Sequence, residues 1–205
     1  QMEGLTRNIG NFARFLEAAS FSHGAVLNVS NIARECGVER KTVEGYLHVL
    51  EDLLLSFRLP VFTKRAKRVT AQHAKFYFFD TGIYNALRPS GPLDRPEEKA
   101  GAALEGLVAQ HLRAWIDYLH PESRLCYWRT LAGSEVDFVV YGKDLFHAIE
   151  VKHATVIHPK DLNALKAFGQ DYPEAKRTIL YRGKEKLLKD GIMIQPCADF
   201  LVNLG

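Results

Sequence analysis

The chain is short of cysteine: Cys36, Cys126 and Cys197 are the only three in 205 residues, they lie far apart, and no C-x-x-C pair occurs. An odd, scattered set speaks against both a disulfide framework and a zinc site, and reads as small buried apolar residues. No histidine stands beside a cysteine or in an H-E-x-x-H helix, which removes the other common zinc pattern. Apolar runs long enough for a membrane span are missing, and no charged-then-apolar signal segment opens the chain. The expectation is a cytoplasmic protein with no membrane partner. Also absent is G-x-x-x-x-G-K-S/T: Gly183-Lys184-Glu185 lacks its spacing and its strand-turn-helix setting, so this chain is not expected to hydrolyse ATP. Acidic residues vanish locally, with none between Asp52 and Asp80, where Arg58, Lys64, Arg65, Lys67, Arg68 and Lys75 fall. A net charge of +3 says little about partners, but a run of one sign suits a phosphate backbone; the plainer alternative is a solvated loop.

With 47% hydrophobic and 25% charged residues, the chain reads as globular, long enough for one large domain or two small ones. Ile9, Phe12, Ala13, Leu16 and Ala19 recur at the spacing of an amphipathic helix over the first twenty residues. Asn28 or Ser30 can cap a short helix carrying Ile32, Ala33 and Cys36, which Gly37 ends. A longer helix follows from about Arg40 to Leu55, with Val43, Leu47, Leu50 and Leu54 inward and Arg40, Lys41, Glu44 and His48 outward. Together these make a helix-turn-helix. The runs Ser56 to Phe62 and Lys75 to Phe79, on either side of a basic connection, add a wing. In a winged helix Arg40 and Lys41 would begin the helix that enters a major groove, and Lys64, Arg65, Lys67 and Arg68 would face phosphates. Gly45 and Glu44 equip that helix poorly for reading bases, and docking to a protein is the other use of such a module. Asp80 to Leu87 reads as a short capped helix. Arg88 to Pro96 carries three prolines and a glycine in nine residues, which marks the expected boundary between domains at 1–88 and 97–205.

Past that boundary, Leu104, Leu107, Val108, His111, Leu112, Trp115, Ile116 and Leu119 repeat at the 3-4 spacing of a helix of about five turns, with Glu105 at the margin of the stripe. Strands are expected at Arg124 to Arg129, Glu135 to Tyr141 and Leu145 to Lys152. A helix begun by Pro159 follows, then strands at Thr178 to Tyr181 and Ile192 to Pro196. Val136, Phe138 and Val140 alternate along one strand, Ile149 and Val151 along the next, and Gly142-Lys143-Asp144 can turn the chain between them. Asp137, Glu150 and Lys152 then share the opposite face. His147 and His153 have the parity of Ile149 and Val151 and are expected to be structural, while Tyr127 and Trp128 read as core or cleft-wall aromatics.

Two carboxylates about 4 Å apart repel by about 4 kcal/mol at an effective dielectric of about 20. A cation, or a raised carboxylate pKa, must relieve them. Mg2+ or Mn2+, which prefer oxygen ligands and keep several waters, could be held by Asp137, Glu150 and the Val151 carbonyl. Such an ion neutralises charge on a phosphodiester under attack and activates water. Lys152 could orient or deprotonate that water, and Glu105 would complete the acidic set. Glu150 and Lys152 alone would read as a solvated strand face; Asp137 and Glu105 tip the reading toward a catalytic site.

The second half resembles the PD-(D/E)XK nuclease superfamily, whose core is helix, three strands, helix, strand, and whose motif would here be Glu105, Asp137 and Glu150-Val151-Lys152. Nearly the whole chain resembles the C-terminal region of a bacterial and archaeal group of AAA-type ATPases that end in a domain of unknown function. The matching residues are Asn28 with Ile32-Ala33-Arg34, Thr42-Val43 with Tyr46-Leu47 and Leu50, Tyr77-Phe78-Phe79-Asp80-Thr81-Gly82, Leu104-Glu105, Tyr127-Trp128-Arg129-Thr130, Glu135-Val136-Asp137-Phe138 and Ile149-Glu150-Val151-Lys152. The resemblance implies an α/β (α+β) protein, a winged helix-turn-helix followed by a restriction-endonuclease-like αβββαβ domain with a mixed central sheet. It implies DNA as partner, and an N-terminal ATPase domain of the same parent chain through which alone ATP would enter. The expected function is a DNA-handling module that cuts with Mg2+ or Mn2+. Its rival is a catalytically inactive domain that kept the scaffold to bind DNA or a regulatory protein partner. A transcription regulator would need a dimer and a defined operator, and the residues supply neither.

Overall fold

The structure, a computed structural model, describes residues 2–64, 73–92 and 94–204. They form two compact units, Gln1–Arg58 with Ala74–Gly106, and Leu59–His73 with Leu107–Gly205. Both units mix helix and strand.

In the first unit α1 (Met2–Ser20) precedes β1 (Ala25–Val26), α2 (Val29–Cys36) and α3 (Arg40–Asp52). Then come β2 (Ser56–Leu59), β3 (Lys75–Phe78) and α4 (Thr81–Leu87). Local signals account for the helix ends. Asn28 accepts from the Asn31 N–H at the start of α2, Gly37 closes that helix at φ 64°, and Asp80 accepts from the N–H groups of Gly82 and Ile83 to start α4. The three strands are ordered β1-β3-β2, with β1 and β3 antiparallel. Phe15, Ala19, Ile32, Val43, Leu47, Leu50, Phe76, Phe78 and Tyr84 fill the core between helices and strands. Each fully buried aliphatic or aromatic side chain is worth about 1.5–3 kcal/mol, so this face, not helix propensity, holds these short elements.

The basic interval is less bare than it reads. Arg58 donates to Glu51 through Nε at 2.5 Å and Nη2 at 2.7 Å, and Lys75 is buried against Glu105 at 3.1 Å. Acids outside the interval therefore neutralise both of its ends. Arg40 and Lys41 are exposed at the start of α3, but Arg40 spends its Nε on Glu44 at 2.9 Å. Arg65, Lys67 and Arg68 lie outside the described residues.

The second unit is built on a six-stranded sheet. It takes α5 (Pro96–Leu119) from Leu107 onward, then β4 (Arg124–Arg129), β5 (Glu135–Tyr141) and β6 (Phe146–Lys152). A 3-10 turn (Pro159–Leu162) leads into α6 (Asn163–Asp171), β7 (Lys176–Tyr181), β8 (Leu187–Lys189), β9 (Ile192–Pro196) and α7 (Cys197–Val202). Strand order is β4-β5-β6-β7-β9-β8. β4, β5 and β6 run as an antiparallel meander, β7 and β9 lie parallel to β6, and β8 is an antiparallel edge. The crossover through α6 makes the β6-β7 pairing parallel. Leu162, Leu165 and Phe168 pack on Trp128, Val136, Val139, Ala148, Ile179 and Tyr181.

Two expectations are corrected here. The run after Ser56 is not one strand to Phe62: β2 ends at Leu59, and the chain then joins the second unit. There Val61 bridges Tyr127, Phe62 N–H donates to the Tyr127 carbonyl at 2.6 Å, and the Phe62 ring packs among Tyr141, Phe146, Phe168 and Tyr172. Nor is β5 a simple alternation. Cys126 pairs with Val139 while Trp128 pairs with Val136, so the one intervening residue of β4 faces two of β5, and a bulge falls at Asp137 and Phe138. Val136 and Val139 consequently share one cluster, and Phe138 and Val140 are buried outside it.

The three cysteines are buried free thiols, as their scatter suggested. No described helix is long and apolar enough to cross a membrane.

Candidate active site

Asp137 reaches β6 from the bulge. A bulge adds one residue and re-aims the side chain beside it, and here Asp137 Oδ2 accepts from the Val151 N–H at 2.8 Å. Glu150 and Lys152 flank Val151 on β6, and Lys152 Nζ donates to Glu150 Oε1 at 2.6 Å. Asp137 and Glu150 are 8% and 6% exposed, so this is no solvated strand face. In the parallel register Glu150 stands opposite Ile179 and Lys152 opposite Tyr181, both members of the cluster beneath α6. The charged pair thus continues an apolar layer at the carboxyl end of β6.

Burial works against the Lys152 ammonium, but Glu150, by its charge and its hydrogen bond, and then Asp137 and Asp161 raise its pKa above the ordinary lysine value. These charges favour the ammonium form of Lys152. It can stabilise negative charge or orient an oxygen.

Asp161 escaped the sequence reading. It sits in the turn after Pro159, accepts from the His158 N–H at 2.8 Å and adds a third carboxylate to the field at Lys152. The signal was present, because an acid three residues into a Pro-initiated turn is a capping position. His153 and Arg182 were missed as a pair: Arg182 Nη1 donates to His153 Nε2 at 2.8 Å across the ends of β6 and β7. His147 fits its structural expectation, meeting Thr178 Oγ1 at 2.8 Å, and burial, helped by Lys176, lowers its pKa to about 3.

Glu105 belongs to the first unit, where Oε1 accepts from Lys75 Nζ at 3.1 Å and from Tyr77 Oη at 2.6 Å. The Lys75 side chain is only 2% exposed, and an ammonium so buried requires a counter-ion. Lys64 stands in the second unit with its Nζ 4.4 Å from the centre of the Tyr141 ring, a cation–π contact, near Arg124 and Lys143.

Among the described residues no three His, Cys, Asp or Glu side chains gather as a metal-binding group. The chemistry of the donor set at Asp137 nonetheless fits a hard divalent ion. Two buried carboxylates outweigh one ammonium, all donors are oxygen, and Mg2+ needs only one or two carboxylates because it keeps its waters.

The fold and site define a two-unit α/β protein with a buried acidic cluster at the end of a mixed sheet. Residues 1–94 match a family described as a domain of unknown function (DUF8612), and residues 100–200 match another described in the same words (DUF4143). The two matched stretches adjoin at the start of α5. No curated protein matches the chain.

Proposed function

We propose that the chain is the DNA-handling module of an AAA-type ATPase, in which the second unit hydrolyses phosphodiester bonds with Mg2+ or Mn2+. The observation that carries this reading is the meeting of Asp137, from the β5 bulge, with Glu150 and Lys152 in a buried, net negative cluster. The meander β4-β5-β6 followed by a helix and parallel β7 supports the nuclease-like reading of that unit. In the first unit the order helix, strand, helix, helix, strand, strand with sheet order β1-β3-β2 supports a winged helix with Arg40 and Lys41 toward DNA, while Lys64, at the start of the basic stretch, belongs to the second unit. ATP would act only through an ATPase domain of the parent chain, in the cytoplasm.

Asp137, Glu150 and the Val151 carbonyl would hold the ion. When bound it supplies Lewis acidity and an activated water. Lys152, fixed as an ammonium, stabilises charge developing on the phosphoryl oxygens. The Val151 N–H holds Asp137 in place. Glu105 serves in the first unit as counter-ion to Lys75.

The test is incubation with plasmid, single-stranded and branched DNA plus Mg2+ or Mn2+. Cleavage is expected for the wild type and not for Asp137→Asn; cleavage that persists in the variant overturns the site.

One observation favours a second reading, a catalytically inactive module that binds DNA or protein: Asp137 and Glu150 already have protein partners in the Val151 N–H and Lys152. DNA binding would then be salt-sensitive with no cleavage, and calorimetry would detect no Mg2+ or Mn2+ binding.

A further inference from the structure

The candidate cluster repels the substrate proposed for it. Without the ion, Asp137, Glu150 and Asp161 face the single Lys152 ammonium, so a phosphate strand arriving there meets excess negative charge. Cations must hold the strand from beside the cluster. In open sheets with parallel strands, ligands lie at the carboxyl ends of those strands. Lys152 ends β6 opposite Tyr181, which ends β7, so the residues that leave the sheet next to the cluster are His153 and Arg182.

The loop after β7 is built. Tyr181 Oη donates to the Glu185 carbonyl at 2.9 Å and accepts from the Glu185 N–H at 3.1 Å, closing residues 181–185 on themselves. Gly183 lies against the Tyr181 ring so closely that any Cβ would collide with it, which explains the glycine of Gly183-Lys184-Glu185. The ring is 5% exposed and anchored in the core beneath α6. Arg182 is fixed again by its N–H to the Ala154 carbonyl at 2.8 Å and by Nη1 to His153. Arg182 and Lys184 are exposed on this brace and border an open cavity of about 720 Å³ with Thr155, Leu188 and Lys189.

We propose that Arg182 and Lys184, presented by the Tyr181–Glu185 brace, grip the sugar-phosphate backbone of the DNA strand next to the scissile phosphate. This rests on the nuclease reading for the word scissile, but the grip itself needs no metal. Arg182 offers a planar donor fork and Lys184 a point charge, the two common means of holding phosphate.

The test uses the 205-residue chain and a labelled oligonucleotide, single-stranded and duplex, in EDTA, with affinity followed against salt. Arg182→Ala combined with Lys184→Ala should weaken binding about tenfold or more and flatten the log K against log salt slope by about 1.8 for duplex and about 1.4 for single-stranded DNA. Tyr181→Phe, which keeps both cations but removes both brace hydrogen bonds, should also weaken binding. Lys166→Ala on α6 serves as a charge control and should change little. An unchanged slope in the double variant, an equal loss in the Lys166 control, or no binding by the wild type overturns the proposal. Cleavage is read separately with Mg2+. Loop-dependent binding without cleavage leaves the grip standing and the nuclease reading fallen, whereas wild-type cleavage with an unaltered KM in the double variant does the reverse.

Discussion

The main-chain N–H of Val151 donates to Asp137 Oδ2 at 2.8 Å, so the residue between Glu150 and Lys152 holds the third member of their cluster from the neighbouring strand. Backbone and side chains of one tripeptide thus assemble the site.

That bond separates folding from chemistry at Asp137. Asn keeps an acceptor for the Val151 N–H, so Asp137→Asn should unfold within about 1 kcal/mol of the wild type, whereas Asp137→Ala leaves a buried donor unmet and should cost about 1–3 kcal/mol. Urea unfolding of both variants, beside their nuclease assays, checks this.

Lys152 and Glu150 form a mostly buried pair, with 33% and 7% of their side chains exposed. Removing the Lys152 ammonium takes a hydrogen-bonded counter-charge from the buried Glu150 carboxylate, so Lys152→Met should destabilise by about 2–4 kcal/mol, and adding Glu150→Gln should recover at least half of that. A double-mutant cycle by chemical denaturation gives the coupling.

In the first unit His23 lies where a Cβ on Gly106 would have to be, with Nε2 and Cε1 in its place. Gly106→Ala should cost about 1–3 kcal/mol by overpacking, and much less in a His23→Ala background. The non-additivity, measured by thermal melts, identifies the contact.

His23 also sets an acid limit. Its Nδ1 accepts from the Phe78 N–H at 3.0 Å, its ring stacks 4.2 Å from that of Tyr84, and burial lowers its pKa from 6.5 to about 4, against a smaller raising effect from the Ala102 carbonyl. The unfolded chain takes up a proton that the folded chain refuses. The stability concerned is therefore complete above the unfolded value of 6.5 and is lost as pH falls from there toward 4, by at most about 3 kcal/mol. Denaturation at about pH 7.5 and about pH 4.5 should show this difference shrinking in His23→Gln.

Much of this was legible in the residues. Asn28, Gly37 and Asp80 announced their helix ends because capping is local chemistry, and the 3-4 spacing around Val108 and Leu112 gave α5 its inward face. The meeting of Asp137 with the Glu150 strand followed from hairpin logic. What stayed hidden depended on distant pairing. No glycine or proline marks the bulge in Glu135 to Tyr141; it appears only as a slip against Cys126 and Trp128 on β4. Arg182 meets His153 because the α6 crossover sets the β6-β7 register, and nothing near either residue encodes that. Lys75 read as part of a basic field because its counter-ion Glu105 comes from a helix far along the chain.

β4 is the outermost strand at its end of the sheet, and the segment Pro60 to Phe62 lies along it through the two main-chain bonds of Tyr127. A fragment begun in the proline-rich stretch keeps Asp137, Glu150 and Lys152 but strips this strip of chain from the strand and empties the slot of Phe62. Its bare edge offers unpaired N–H and C=O groups to any neighbour, so such a fragment should self-associate through β4. The few residues after β2 act as a guard rail against sticking, supplied from the far side of the proline-rich stretch.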